Sequence, residues 1–313
     1  MQGYIDFHTH LPWRVREPRR AAGLLLRAMD EAGVARAVVI AVEPSLRVFR
    51  SSVTPERLRR AAADSIDYLV YLRIRSLREV VFEPDRAISE HERLLLEHTR
   101  TSEEVLEAAE ASGGRLYPVA SYNPDLGPAG TLERVRGRPY LGVKLYPTLH
   151  DCRPSERRLR PLLDYMESEG LVLIVHTGCD PGLWELPDLC WGARPSALDP
   201  IARSHPGLTV VVAHLGSYSA LRPGIYFQEA VDLISRRDNV YADTSAVDPF
   251  LVELAVDRVG YDRLLFGSDY PYVTGLTMRD AVEAILHSNL EEKAKEAILA
   301  GNAERLLRGL GRL

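Results

Sequence analysis

The segment Tyr4-Ile5-Asp6-Phe7-His8-Thr9-His10 places two imidazoles two residues apart at the end of an apolar run. In a strand, alternate side chains face opposite sides, so His8 and His10 point one way and Thr9 the other. Zinc and similar divalent ions favour neutral imidazole nitrogens, and an i, i+2 pair lets both reach one ion. The pair is half of a metal site. Four more apolar runs close on a polar side chain: Gly142-Val143-Lys144, Ile174-Val175-His176, Val212-Ala213-His214 and Phe266-Gly267-Ser268-Asp269. A single histidine at a strand end is usually a hydrogen-bonded structural residue. Six metal-competent side chains at the same ends of five strands point instead to one shared site.

The elements that must position them alternate along the whole chain. Strand patterns fall at 4–10, 36–42, 116–122, 141–146, 171–176, 208–214, 239–245 and 263–269. Helical patterns lie between them near 19–33, 53–65, 101–112, 155–169, 195–205, 224–236, 248–259 and 277–299. Runs such as Leu171-Val172-Leu173-Ile174-Val175 are apolar on both faces, as parallel strands covered on each side should be. Eight strand–helix units in 313 residues predict an α/β fold, a (β/α)8 TIM barrel forming a single domain over 1–313. In such barrels the C-terminal strand ends carry the chemistry, and that is where the six residues fall. The connection 43–115 is far longer than the others and predicts a helical insertion after the second strand, either a cap beside the active face or a solvated edge. No glycine-rich dinucleotide or phosphate-loop fingerprint follows any strand, which argues against a doubly wound nucleotide binder.

Composition narrows the partners. The chain is 46% hydrophobic and 27% charged with net charge −5, an ordinary balance for a globular protein. Mild acidity gives no reason to expect nucleic acid or an anionic membrane, and no apolar run approaches the roughly 20 residues that span a bilayer. A small-molecule substrate is the expected partner, with homo-oligomerisation left open. The chain enters a strand almost at once, with no basic-then-apolar leader. Three cysteines, Cys152, Cys179 and Cys190, make no even framework and fit a reducing, cytoplasmic location.

On these residues the chain resembles the amidohydrolase superfamily, and within it the amidohydrolase-related (family 2) branch. The resemblance runs from Asp6-Phe7-His8-Thr9-His10 to Phe266-Gly267-Ser268-Asp269-Tyr270-Pro271, and includes the closing Gly301-Asn302-Ala303-Glu304-Arg305-Leu306-Leu307. It implies that His8, His10, His176 and Asp269 bind a metal, with His214 beside the activated water or on a second ion. It also implies that a fourth-strand lysine, here Lys144, is carbamylated and bridges two ions. Of 39 basic residues only Lys144, Lys293 and Lys295 are lysine, so an interior lysine suggests that its amine chemistry matters. The other readings of Lys144 are an ammonium gripping a substrate carboxylate, or an ion pair with Asp6 or another carboxylate of the barrel floor. Val143 and Leu145, of opposite parity, are suited to packing on helices.

Other side chains carry weaker expectations. Cys179 and His150 sit in loops above the barrel, and Tyr122 and Asn123 end the third strand. Asp243 is either a support for the site or barrel filler, and Trp184, Trp191 and Tyr226 are candidate pocket walls. His205 belongs to the stability face, and His91, His98 and His287 fall on helical patterns expected to face solvent.

The expected activity is a metal-dependent hydrolase using metal-activated water on an amide, lactone or related ester-like bond. Zinc is the expected cofactor, as one or two ions. Asp269 would be the proton shuttle and His214 would polarise the carbonyl, with Lys144 the third catalytic candidate. The alternative, implied by the same branch, is a non-oxidative decarboxylase of a small carboxylic acid. A retained barrel that merely binds metal is a third reading, and the shuttle carboxylate Asp269 argues against it.

Overall fold

Eight parallel strands pair in chain order in the computed structural model, which describes residues 3–64, 82–180, 185–219, 221–273 and 275–313. They are β1 (Tyr4–Thr9), β2 (Val34–Ile40), β3 (Leu116–Ser121), β4 (Gly142–Leu145), β5 (Val172–Val175), β6 (Thr209–Val212), β7 (Val240–Asp243) and β8 (Leu264–Leu265). The ring is brought together by backbone bonds between β1 and the stretch around β8. The Phe7 amide donates to the Phe266 carbonyl at 2.7 Å, the Asp269 amide to the His8 carbonyl at 2.9 Å and the His10 amide to the Tyr270 carbonyl at 2.8 Å. The fold is a (β/α)8 TIM barrel, as the alternation of patterns predicts.

Side-chain parity sorts the strands into two layers. Val143, Leu145, Leu173, Val175, Val210 and Val212 share a buried cluster with the helix residues Leu162, Leu163 and Met166. Val38, Ile40, Val119, Ile174 and Val211 belong to another. Because successive strand residues face opposite ways, Lys144, in register with Ile174, is directed away from the helices beside Val143 and Leu145.

Local signals set the helix ends. Gly33, at φ 73°, supplies the left-handed residue that ends the helix Pro18–Ala32. Capping boxes, Thr101 with Glu104 and Thr277 with Asp280, start the helices Ser102–Glu110 and Met278–Leu286. The long pattern at 277–299 is in fact broken, passing from Met278–Leu286 to Glu292–Glu296 and then, through a π turn, to Asn302–Gly309. Asn302 Nδ2 ties this last helix to the barrel through the carbonyls of Tyr261, at 2.6 Å, and Leu264, at 2.7 Å. The helix Gly127–Val135 has no counterpart in the sequence patterns, because two glycines and a proline weaken its periodicity.

Among the described residues of 43–115 are the helices Leu46–Ser52, Pro55–Asp64 and Pro84–His98, which bury a small cluster of their own around Phe49, Leu58, Ala87 and Leu95. The following helix, Ser102–Glu110, packs on β3 and on Pro18–Ala32 and so takes the place of the barrel's own second helix. Residues 65–81 of the expected insertion lie outside the described residues.

Gly142 is required by the approach of β4 to β5. A Cβ there would lie 1.9 Å from the Val172 carbonyl oxygen, a backbone atom that cannot step aside. Gly142→Ala should therefore lower stability by about 2–3 kcal/mol, the usual cost of overpacking, with a matching fall in urea midpoint. A midpoint equal to that of the parent chain would contradict this packing.

Candidate metal centre

The β1–β8 seam brings together residues from opposite ends of the chain. Asp6 Oδ1 accepts the His8 amide at 3.0 Å and the Ser268 amide at 3.1 Å, so one carboxylate ties the outgoing backbones of both strands. Burial raises the pKa of Asp6 to about 7. Gly267 permits the close approach, because a Cβ there would meet the His8 Cβ at 2.9 Å and the Ser245 Cβ at 3.0 Å. Asp269 and His214 both adopt left-handed backbone, at φ 56° and 60°. Such geometry is costly for residues with a side chain and concentrates at functional sites.

The hydrogen bonds assign the ring tautomers. His10 Nδ1 lies 2.9 Å from the Ile40 carbonyl, which can only accept, so Nδ1 carries a proton and, in the neutral ring that binds a cation, Nε2 is the free ligand atom. His8 Nδ1 lies 2.9 Å from Asp243 Oδ2, which fixes the same tautomer. Desolvation, with Lys144 next in importance, pushes the His8 pKa well below 6.5 and keeps the ring neutral. Both Nε2 atoms turn toward Asp269 Oδ1, at 3.7 Å from His8 and 3.2 Å from His10. With both rings neutral, two nitrogen acceptors facing a carboxylate oxygen repel unless a cation stands among them. These donor atoms all lie within 4.8 Å of one another, a spacing that suits one divalent ion.

His176 and His214 form an adjoining pair. His214 Nδ1 is 3.0 Å from the Ser245 carbonyl and 2.9 Å from Ser245 Oγ, which itself donates to Asp243 Oδ1. His214 Nδ1 is thus the donor, and its Nε2 receives His176 Nδ1–H at 3.0 Å. Burial and the nearby His176 push the His214 pKa well below 6.5. With both nitrogens engaged, His214 orients His176 in this arrangement. Lys144, fully buried, sets its Nζ 3.2 Å from His8 Nε2. Burial lowers its pKa to about 8 against the pull of Asp243 and Asp269. Among the described residues no carboxylate lies at ion-pair distance from Lys144, so the floor ion pair with Asp6 is not formed.

Around these residues lies a cavity of 380 Å³. His91 and His98, expected to face solvent, instead line it, because the helix Pro84–His98 lies over the mouth of the barrel as a cap. Trp13 packs on His98, tilted with ring centroids 4.6 Å apart, and stacks on Tyr272 at 5.3 Å, making an aromatic cluster on one side of the cavity. The loop bearing Trp13 is held by buried Arg100, which donates to the carbonyls of Pro12, Trp13, Val15 and Arg16. The sequence patterns missed Trp13, Arg100, Tyr218, Tyr272 and Glu185, which sit in loops or cap segments and carry no strand-end mark. Glu185 and Asp180 add carboxylates to the lining, and Tyr218 packs its ring 4.8 Å from His176. Burial holds the Tyr218 phenol well above its ordinary range and so protonated.

A TIM barrel with imidazoles and carboxylates gathered at its C-terminal mouth defines the amidohydrolase class of barrel. The family model described as amidohydrolase matches residues 5–309, and the chain belongs to that family. No curated protein matches the chain in sequence. Solved structures do match. An uncharacterised TIM-barrel protein of Bordetella bronchiseptica is 21% identical with a TM-score of 0.66, over 98% of this chain and 99% of that one. A Pseudomonas putida protein provisionally named 2-pyrone-4,6-dicarboxylic acid hydrolase is 19% identical with a TM-score of 0.59, over 100% and 98%. The 5-carboxyvanillate decarboxylase of Novosphingobium aromaticivorans, solved with manganese and a nitrobenzoic acid, is 13% identical with a TM-score of 0.60, over 98% and 97%. At these identities the likeness is one of fold. Among the described residues, no helix is long and apolar enough to cross a membrane.

Several expected positions lie elsewhere. Cys179 and Cys190 form a disulfide, correcting the expectation of unpaired cysteines, because the loop after β5 folds back and brings their Cα atoms to 5.8 Å. Cys152 is free and buried. Trp191 is exposed beneath Arg194, which also covers Tyr226, and neither ring lines the cavity. Trp184 lies outside the described residues. Tyr122 is buried and Asn123 donates to Glu43, both away from the cavity. Asp243 supports the site by holding His8 and the His214 amide. His205 is bound to Asp164, and His287 is exposed as expected.

His150 is a buried pin. Its Nε2 donates to the Glu43 carbonyl at 3.2 Å while Nδ1 accepts the Tyr146 amide at 3.3 Å, so only the neutral ring fits. Burial lowers its pKa from 6.5 to about 3. Between those values the unfolded chain binds a proton that the folded chain refuses. Its contribution to stability is complete above pH 6.5 and lost as pH falls toward 3, reaching roughly 3 kcal/mol by pH 4.5. His150→Gln should flatten the decline of Tm between pH 6.5 and 4.5. An unaltered slope in thermal melts would refute this assignment.

Proposed function

We propose that this protein is a metal-dependent hydrolase that uses activated water on an amide, lactone or related ester-like bond of a small molecule. The observation that carries the reading is the convergence of His8 Nε2 and His10 Nε2 on Asp269 Oδ1, a contact that only a cation or a proton makes favourable. Membership of the amidohydrolase family supports it. His8, His10, His176 and Asp269 would hold the ion. Zinc suits the three imidazoles, and manganese, present in the decarboxylase neighbour, is the other candidate. When bound, such an ion lowers the pKa of its water to about 7 and polarises a carbonyl.

This chain's own groups would do the rest. The Asp269 carboxylate would accept the proton of the attacking water and return it to the leaving group. The protonated Tyr218 phenol would donate to the oxygen on which negative charge develops. His214 would keep His176 in one tautomer, and could reach a substrate only by giving up that bond. Asp243 would do the same for His8. Lys144 would take part either as its carbamate, bridging a second ion, or as the amine beside His8. The acidic lining from Asp180 and Glu185 favours a neutral substrate over an anionic one.

Decarboxylation is the second reading, favoured by the aromatic cluster of Trp13, His98 and Tyr272 in the lining, which suits an aromatic acid. Assays of the metal-loaded protein on lactones, amides and esters against aromatic carboxylic acids separate the two. We expect hydrolysis, abolished by chelation. Release of carbon dioxide with no hydrolysis would replace the first reading by the second.

His10→Ala should remove bound metal and lower kcat by about 10³-fold or more together, since the ion supplies both nucleophile and polarisation. A variant that kept full metal content, measured by elemental analysis, and full turnover would defeat the metal centre as drawn.

A further inference from the structure

Tyr272, in the loop after β8, touches both the candidate ligands and the cap. Its amide donates to the Asp269 carbonyl at 2.7 Å, so its backbone closes a tight turn with the residue that bears the carboxylate. Its ring meets His10 edge-on, with centroids 4.6 Å apart and planes at 90°, an arrangement that aromatic rings favour. Trp13 stacks on the same ring at 5.3 Å. The Tyr272 hydroxyl donates to the His98 carbonyl at 2.9 Å. His98 is the last residue of the cap helix Pro84–His98, where carbonyls have no partner within the helix. The bond therefore satisfies a group that the helix itself cannot. The chain then joins the barrel at once, since the Arg100 amide donates to the Val42 carbonyl at 2.9 Å and the Val42 amide to the Arg100 carbonyl at 2.8 Å. The cap's own apolar cluster includes Leu186 of the loop after β5, but no candidate ligand. One side chain thus spans from a ligand ring to the end of the cap helix.

We propose that Tyr272 is a positioning residue that couples the cap helix to the metal centre. The inference rests on the metal-dependent reading above and deepens it. When His10 and Asp269 share a cation, the ring and the backbone turn on which Tyr272 rests lose their freedom. A fixed Tyr272 fixes its hydroxyl, and with it the last carbonyl of the cap helix. The coupling is reciprocal: a cap held in place restrains the Tyr272 ring against His10 and favours the ligand geometry. Two parts of one side chain have separable tasks. The hydroxyl acts on the cap, and the ring acts on His10. Because His91 and His98 of the cap line the cavity, filling the centre also sets the wall that a substrate meets.

Hydrogen exchange of the full-length protein tests this without reference to turnover, read at residues 84–98 with and without saturating zinc or manganese. Affinity for each ion is measured alongside, by titrating the metal-free protein against a chromophoric chelator. In the parent chain the ion should slow exchange at the end of the cap helix by about 5–10-fold, the lower range of coupling between sites. Tyr272→Phe, which loses only the hydroxyl, should keep the parent's metal affinity and lose most of that protection. Tyr272→Leu, which also removes the aromatic ring, should in addition weaken both ions by about 10-fold and alter the visible spectrum of the cobalt(II)-loaded protein. A merely structural tyrosine would instead speed exchange equally with and without the ion, and that outcome overturns the proposal. So does full protection in Tyr272→Phe, or a parent chain that binds metal with no slowing in the cap. Unchanged affinity and cobalt spectrum in Tyr272→Leu overturn it as well; if that variant does not fold, the parent and Tyr272→Phe still decide. His10→Ala is the control, expected to lose metal and protection together. If the parent chain binds neither ion, the metal-dependent reading itself fails, and the coupling with it.

Discussion

The seam between β1 and β8 is the constraint on which the site depends. His8 and Asp269 are far apart in the chain, yet the Asp269 amide donates to the His8 carbonyl at 2.9 Å. Asp6 reinforces the join by accepting an amide from each side, and Gly267 lets the two backbones draw close. Because the barrel nearly closes on itself, a residue at the first strand end and one at the last become neighbours with little freedom to separate. The left-handed backbone of Asp269 is held by this seam, which is how a fold stores local strain where chemistry needs a fixed carboxylate.

Around that seam the side chains form a directional network. Ser245 and Asp243 lie at its root: Ser245 receives His214 Nδ1, and Asp243 receives His8 Nδ1. The proton assignments pass outward from those acceptors, so each ring presents its Nε2 in a determined state. Burial keeps His8 and His214 neutral, which is the form that binds cations. The network thus converts a packing problem, how to bury several polar rings, into a set of lone pairs aimed at common points.

Much of this was legible in the residues. The eight strand segments coincide with apolar runs because parallel strands are covered on both faces and their composition reflects it. Lys144, His176, His214 and Asp269 stood out as polar residues ending those runs, and all four meet around His8 and His10. The helix Gly127–Val135 was hidden by its glycines, and the break after Leu286 by an unbroken amphipathic pattern. A helical pattern sets His91 and His98 toward solvent, but the cap turns that helix face into a pocket wall. Glu185 and Trp13 gave no signal, since loop residues carry no periodicity. The Cys179–Cys190 pair was invisible for a related reason: spacing alone does not say whether a loop doubles back.

Two kinds of information therefore divide the molecule. Alternation of apolar and amphipathic segments, together with the residue types that close the strands, by themselves determined the barrel and the inner ring of candidate ligands. Periodicity is a local property, and strand ends inherit their position from it. Only the tertiary structure decided which ring nitrogen bears a proton, that Lys144 lies against His8 with no carboxylate at ion-pair distance among the described residues, and which loops wall the cavity. Those outcomes depend on contacts between segments from 30 residues apart, as His10 and Ile40, to 235 apart, as His8 and Asp243, and hydrogen-bond direction and burial exist only once such segments meet.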